Sequence, residues 1–342
     1  MSHDKLLEAL TRDKSHIKAL ADKSTISRVV ERIPTGILTL DMIMGGGVPV
    51  GRFIEIYGDS STAKSLLANH IIAEAQELGG VGVLFDSETA SDEGFMEMVG
   101  VNPEAVLYST PSTIEELYDE YEKIMRAKRK YDPNGLMVIV WDSVAATSTK
   151  GELDAVRKKG MGAATMGIHA RLISQLCRIV NTDVSSQRLA FVFINQTRTN
   201  IGVMFGPSKS TFGGRAIAYY SSVRLEMKHI RKLVHKSSDQ VYGIDVRVGV
   251  AKNKVGRPFG MCEIPVLFDI GMDEPGAILW WLKNKSLITG AAWKTIELDG
   301  VDHKFRHREW EQFYYQHEQA VRNAVIASKD LGWAHVDEDE DD

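Results

Sequence analysis

The stretch Gly58-Asp59-Ser60-Ser61-Thr62-Ala63-Lys64-Ser65 has the residues to hold phosphate. It follows a strand-like apolar run, residues 52–57, and opens a run with helical periodicity, residues 64–78. In that setting successive backbone N–H groups form an anion nest, backed by the positive end of a helix dipole. Lys64 would reach the outer phosphates, and the Ser65 hydroxyl would take Mg²⁺. Ala63 departs from the pattern, standing where such loops carry their second glycine. Two acids extend the constellation. Asp142 ends the apolar run 136–141 and is suited to hold the Mg²⁺ shell. Glu88 lies just past the run 81–86, where a carboxylate can polarise an attacking water. The chemistry implied is nucleotide binding and hydrolysis.

These groups meet only if strand ends share one edge. From Ile33 the pattern alternates: strand 52–57, helix 64–78, strand 81–86, amphipathic helix 113–129, strand 136–141, helix 162–180, strand 189–194. Such βα alternation predicts an α/β fold, a mostly parallel sheet covered on both faces. Ligands of open sheets of this kind gather at the C-terminal ends of the strands. After Gly214 the period becomes two, at Val223, Leu225 and Met227 and again at Ile244, Val246, Val248 and Val250. With a third strand at 261–268, this predicts antiparallel strands appended to the sheet. A GMDEPG turn near residue 270 marks a boundary. Beyond it come a helix at 277–285, a hairpin turning at Asp299-Gly300 and a helix at 308–328. The expected division is an N-terminal helical module with linker (1–32), a core (33–269), a small α+β domain (270–330) and an acidic tail (331–342).

The chain has 342 residues, 44% hydrophobic and 25% charged, which fits a folded protein and excludes global disorder. No apolar run approaches the roughly 20 residues that span a bilayer. Cys177 and Cys262 are the only cysteines, so neither a disulfide framework nor a CxxC knuckle is available. The N-terminus mixes both charge signs and lacks an apolar signal core, so a cytoplasmic location is expected. The net charge is −5, from 41 basic and 46 acidic residues, but Asp337 to Asp342 are all acidic. Without those six the count is 41 against 40, a body of +1 with a tail able to mask basic surface. Cys177 reads as a core residue, the aromatics Trp280, Trp281, Trp310, Phe313 and Tyr314 as a small C-terminal core, and His303 and His307 as surface hairpin residues.

Two glycine-containing segments are expected to leave the same edge as loops. One is 151–162, with Arg157-Lys158-Lys159; the other is 197–214, with Arg198, Lys209 and five residues from Ile201 to Phe205 of which four are apolar. Basic residues neutralise nucleic-acid phosphates, glycines let a backbone approach, and Ile201, Val203, Met204 and Phe205 can wedge between bases or stack on them.

The run from Phe193 to Gly206, FINQTRTNIGVMFG, followed by Thr211-Phe212-Gly213-Gly214, strongly resembles the second DNA-binding loop of bacterial RecA recombinases. So do Tyr219-Tyr220-Ser221-Ser222-Val223-Arg224-Leu225, Ile33-Pro34-Thr35-Gly36, Val140 to Ala146, Lys252-Asn253-Lys254 and the acidic tail. Ala63-Lys64-Ser65 and Asp86-Ser87-Glu88 look more like the phage-encoded, UvsX-type branch, which implies a phage origin and a host cytoplasm. The resemblance implies an ATP-dependent DNA recombinase that forms helical filaments on single-stranded DNA and exchanges strands with duplex DNA, using ATP and Mg²⁺. Single-strand-binding and loader proteins are the other partners it suggests. It implies Gln196 as the γ-phosphate sensor, Asp92 and Phe95 as adenine contacts, and Phe268 as an adenine contact from a neighbouring subunit. Lys252 and Lys254 would enter the neighbour's ATP site. Met166, Arg171, Ser174 and Arg178 would contact DNA around the first loop, and Arg198, Ile201, Gly213, Gly214 and Arg215 around the second, with Arg215 where the family usually has Asn. Tyr219 would lie at the subunit interface. The rival readings are a RecA-fold motor such as a hexameric helicase, and a structural filament protein that binds ATP without strand exchange.

Overall fold

The computed structural model describes residues 31–161, 167–199, 209–235 and 237–330. Met166, Ile201, the N-terminal module up to residue 30 and the tail from 331 lie outside the described residues, as do Val203, Met204 and Phe205. The described chain opens with β1 (Arg32–Ile33), α1 (Leu38–Met44) and β2 (Val48–Pro49), the two strands pairing antiparallel. There follow β3 (Phe53–Gly58), α2 (Lys64–Glu77), β4 (Val81–Asp86), α3 (Glu93–Met98), β5 (Val106–Ser109), α4 (Ile114–Tyr131) and β6 (Met137–Asp142). Next come α5 (Lys150–Lys159), α6 (Ile168–Ser186), β7 (Leu189–Thr199), β8 (Lys209–Thr211), α7 (Ala216–Tyr220), β9 (Val223–Val234), β10 (Val241–Asn253), β11 (Met261–Leu267) and β12 (Gly271–Met272).

The large sheet has the order β12-β11-β10-β9-β3-β7-β6-β4-β5, with β8 added to the end of β7. From β9 to β5 the pairings are parallel; β10, β11 and β12 are antiparallel, as the change of sequence period predicts. Alternate side chains of each central strand enter opposite cores. Ile54, Ile56, Val138, Val140, Val192 and Ile194 pack with Leu67 and Ile71 of α2 on one face. Phe53, Ile139, Trp141, Phe191 and Phe193 pack with Leu117 and Tyr121 of α4 and Ile173 and Cys177 of α6 on the other. Both faces are therefore dry, which is why these strands read as unbroken apolar runs. A three-stranded sheet of β13 (Ile288–Thr289), β14 (Lys294–Leu298) and β15 (Val301–Phe305) joins α8 (Glu274–Asn284), α9 (Trp310–Gln316) and α10 (Glu318–Ala327). Trp281, Phe305, Trp310, Phe313 and Tyr314 fill the space between them. Among the described residues no helix is long and apolar enough to cross a membrane.

Three expectations change. Residues 150–159 are helix, not loop: the Thr149 hydroxyl accepts the Glu152 N–H and the Glu152 carboxylate accepts the Thr149 N–H, both at 3.0 Å. This capping box offsets the helix-breaking tendency of Gly151 and starts the helix there. The helix expected at 162–180 runs instead from Ile168 to Ser186 in its described part. The helix expected at 308–328 is broken at His317, whose φ of −124° leaves the helical region. Its ring packs against Phe313 and His303, at 4.6 and 4.7 Å between centroids, so His303 is half buried rather than a surface histidine.

One buried acid sets a pH dependence. Asp41 in α1 accepts the N–H and the hydroxyl of Thr35, at 2.9 and 2.8 Å. Burial pushes its carboxyl up to about 7 against those two bonds, and the nearby Glu74 and Glu274 add to the rise. A carboxyl raised in the fold binds a proton that the unfolded chain has lost, so its ionisation costs stability as pH rises from about 4 to about 7. Asp41→Asn should remove that slope. Denaturant melts at pH 5 and 8 should show the variant gaining on the parent by up to about 3 kcal/mol more at pH 8. An equal difference at both pH values would place the titration elsewhere.

Candidate active site

Gly58 ends β3 against β9, and a Cβ there would lie 2.2 Å from the Met227 carbonyl oxygen, so only glycine lets the two strands close. The chain then turns through Asp59, Ser60, Ser61 and Thr62 into α2. Ser61 and Ala63 are both left-handed, with φ of 58° and 62°. Left-handed residues in such a loop turn successive N–H groups toward one anion. Asp59, Ser60, Ser61 and Ser65 face solvent, while Thr62 and Lys64 are buried. Lys64 Nζ donates to the Asp59 carbonyl at 2.6 Å, and the Thr62 hydroxyl donates to the same oxygen at 3.0 Å. Burial lowers the Lys64 pKa, while Asp142, Glu88 and Asp59 oppose the fall and help keep the amine charged.

The parallel register brings the acids to this edge. Gly58 is level with Gln196, and Asp86 with Asp142. The Ser65 hydroxyl hydrogen-bonds Asp142, whose carboxyl burial pushes up to about 6, with Glu88 and Asp86 adding to the rise. Glu88 Oε1 accepts the Ser143 hydroxyl at 2.5 Å and the Gln196 amide at 3.1 Å. Asp86, a second candidate for the base, is spent otherwise. It accepts the N–H groups of Glu88, Thr89, Ala90 and Ser91 and the Tyr108 hydroxyl. Burial would raise its pKa, but those bonds together bring it below the ordinary carboxylate value. Asp86 thus fixes the loop that carries Glu88.

A cavity of about 360 Å³ opens beside these groups, lined by Ser65, Glu88, Asp92, Phe95 and Asp142 among others. Asp92 also caps α3, accepting the Phe95 N–H at 2.8 Å. Phe268 does not line it: the residue is 52% exposed in the β11–β12 turn, its N–H bonded to the Tyr242 carbonyl. The residues present fit Mg²⁺. Asp142 is a carboxylate in a low-dielectric position beside two other acids, and it shares a hydrogen bond with the Ser65 hydroxyl. Among the described residues no group of three or more His, Cys, Asp or Glu forms a metal site by itself. An ion held by Ser65 and Asp142 would keep water and take its other ligands from a nucleotide's phosphates.

The same edge carries the second basic segment. β7 runs past Gln196 to Thr199 and β8 returns antiparallel to it, so the segment between them stands on a hairpin base. Thr197 donates to the Asp59 carboxylate in a very short bond, tying this base to the phosphate loop. Arg198 stacks on Phe212, and both line a groove of about 550 Å³ with Glu152, His169 and Gly213. Gly213 packs so closely on α6 that a Cβ would meet the Ile173 side chain at 2.7 Å. Arg171, Ser174 and Arg178 follow one face of α6, with both arginines exposed. Ser174, Gly213, Arg215 and Tyr219 border one shallow depression. The structure therefore gathers Ser174, Arg198, Gly213 and Arg215 at two adjoining hollows, with Arg171 and Arg178 on the same α6 face as Ser174. Gly214 lines the groove as well.

Lys252 and Lys254 are not brought to Glu88. Lys252 is level with Arg224, and Arg224 with Glu55, near the start of β3. The phosphate loop leaves the opposite end of that strand, at least roughly 10 Å along the sheet and 10 Å across it. Lys252 Nζ donates to the Ala218 and Tyr219 carbonyls at 2.5 and 3.1 Å, and Lys254 Nζ to Tyr219 at 3.0 Å. Both cations thus cap the C-terminus of α7, next to Tyr219, which is 72% exposed.

Sequence reasoning missed Thr197 and Ser143, since each acts through a partner far away in the chain. Ala63 holds a conformation that favours glycine, at a cost of about 1–2 kcal/mol for a residue with a Cβ. Ala63→Gly should therefore leave stability unchanged or raise it by up to about 1 kcal/mol, the usual penalty of glycine flexibility offsetting part of the relief. Thermal melts of the two proteins measure this, and a destabilised variant would mean that the loop holds Ala63 without strain.

A family model described as the RecA N-terminal domain matches residues 7–273. Protein RecA of Chloroflexus aggregans is 43% identical over 251 residues, 73% of this chain and 68% of that protein. Protein RecA of Herpetosiphon aurantiacus is 39% identical over 279 residues, 80% and 75% of the two chains. Protein RecA of Trichormus variabilis is 34% identical over 352 aligned positions, 98% and 95%. These relatives are bacterial and do not point specifically to the phage-encoded branch. A phosphate loop, two carboxylate strand ends and a basic hairpin on one edge of this sheet, together with a match across most of the chain, make it a member of the RecA family.

Proposed function

We propose that the chain is an ATP-dependent DNA recombinase, assembling as a helical filament on single-stranded DNA and exchanging strands with a homologous duplex. The observation that carries this reading is the 3.1 Å bond from Gln196 to Glu88. Gln196 touches the acid suited to activate water, and two residues later the same strand enters the segment suited to hold DNA. A helicase-like ring or a structural filament has no need of that particular junction, with its basic and apolar segment on a hairpin base.

In the mechanism, the N–H groups of residues 59–65 and the Lys64 ammonium would hold the phosphates, while Ser65 and Asp142 would hold Mg²⁺. The metal, when bound, neutralises charge on the phosphates. Glu88, held by Ser143 and Gln196, orients the water and takes up its proton. Asp92 and Phe95 border the base. Met166, Arg171, Ser174, Arg178, Arg198, Ile201, Gly213, Gly214 and Arg215 hold the DNA. Lys252 and Lys254 serve the site of the next subunit, with Tyr219 and Phe268 at the same junction; their position at the far end of β3 supports a role outside their own chain's site. Single-strand-binding and loader proteins belong to the same proposal. A phage origin is its finest point, supported by Ala63 and by Asp86-Ser87-Glu88 and by none of the relatives above.

A mixing experiment tests the shared site. Glu88→Gln and Lys254→Ala should each be nearly inactive as ATPases on single-stranded DNA. In a head-to-tail filament of equal amounts, about one interface in four joins an intact Glu88 to an intact Lys254, the product of two halves. Turnover should recover to at most roughly a quarter of the parent's. A mixture no more active than its components, with co-assembly seen by labelled subunits, would mean that the site is complete within one chain. Closed rings instead of filaments on electron micrographs would favour the helicase reading.

A further inference from the structure

Glu55 is a carboxylate with no exposure at all, in the middle of the sheet, on a strand face otherwise given to Phe53 and Tyr57. None of the nucleotide chemistry uses it. Its Oε2 accepts Arg224 Nε at 2.5 Å, and its Oε1 accepts Asn195 Nδ2 at 3.0 Å. Asn195, also fully buried, gives a second N–H bond to the Phe212 carbonyl at 3.0 Å, while its Oδ1 accepts the Gln196 N–H at 2.9 Å. The amide orientation is fixed by its partners: a flipped group would set oxygen against a carboxylate and a carbonyl.

This cluster reaches both flanks of the 200–208 segment. Asn195 and Gln196 lie on the strand that leads into it, and Phe212 follows β8, which leads out. On the other side Arg224 is level with Lys252, which caps the helix that begins just after Gly213-Gly214. A row of polar side chains therefore crosses β7, β3, β9 and β10 from the segment's base to the two lysines. We propose that Asn195 and Glu55 act as a positioning clasp that holds the two flanks of the DNA segment at a fixed separation and links them to the Lys252–Lys254 end of the sheet, so that DNA occupancy and nucleotide turnover are coupled through it. Neither residue lines the cavity beside Glu88 or the two hollows near the second basic segment. The inference rests on the function proposed above.

The test uses Asn195→Asp in the full chain. This change keeps the acceptor for Gln196 and removes both donors, leaving the Phe212 carbonyl unpaired and setting a second carboxylate against Glu55. Affinity for a fluorescent ATP analogue without DNA should stay within about twofold, while stimulation of ATP turnover by oligo(dT) should fall by about tenfold or more, the scale of one buried group left unpaired. Hydrogen exchange at residues 211–214 without DNA should quicken. Adding Glu55→Gln restores a donor facing the new acid and should recover part of the stimulation, as a double-mutant cycle reads it. If Asn195→Asp proves too unstable to purify, Glu55→Gln alone carries the same two readouts. Faster exchange with unchanged stimulation overturns the coupling. Unchanged exchange overturns the clasp. If the parent itself shows no response to oligo(dT), the proposed function fails and the coupling with it, whereas the exchange result still decides whether the clasp exists.

Discussion

The candidate site depends on parallel strand register. β3, β4, β6 and β7 point the same way and end at one edge, so Gly58, Asp86, Asp142 and Gln196 arrive together although 138 positions separate the first from the last. Period-two packing fixes that register, because a slip of one residue would turn Phe191 and Phe193 out of one core and Val192 and Ile194 out of the other. The two dry faces thus do more than hold the sheet: they set the height at which each carboxylate stops.

Polar groups at that edge divide into those that hold a ligand and those that hold the holders. Asp86 is buried and acidic, as a base would be, yet its oxygens are taken up by four N–H groups of the loop that presents Glu88 and by the Tyr108 hydroxyl of β5. Asp142 has the opposite balance, with the Ser65 hydroxyl and the Lys64 ammonium set against burial and two nearby acids, so a further cation suits its charge. Position at a strand end does not separate these roles; the number of donors directed at each carboxylate does.

Most of the architecture was legible in the sequence, because apolar periodicity and strand–helix alternation report directly on burial. The phosphate loop and its acids were legible for a related reason: each sits at a boundary between an apolar run and a turn. What stayed hidden had other causes. The helix after Thr149 was masked by Gly151 and a basic composition, although the Thr-x-x-Glu cap was present. The break at His317 depends on a ring packing against Phe313 and His303, a contact that no local pattern encodes. The links from Thr197 to Asp59 and from Ser143 to Glu88 join residues from different strands, and only the folded register reveals them.

The anchoring of Asp86 also bears on how this edge can move. Four backbone N–H groups and a tyrosine hydroxyl converge on one carboxylate, so the chain carrying Glu88 forms a stiff wall. The facing wall is Gln196, whose side chain joins Glu88 by one bond and whose backbone lies in β7 beside Gly58. A hinge with one rigid leaf opens only through the other. A displacement at the carboxylate would therefore fall on the β7 side, where Asn195 joins Gln196 to the row of polar groups that crosses the sheet.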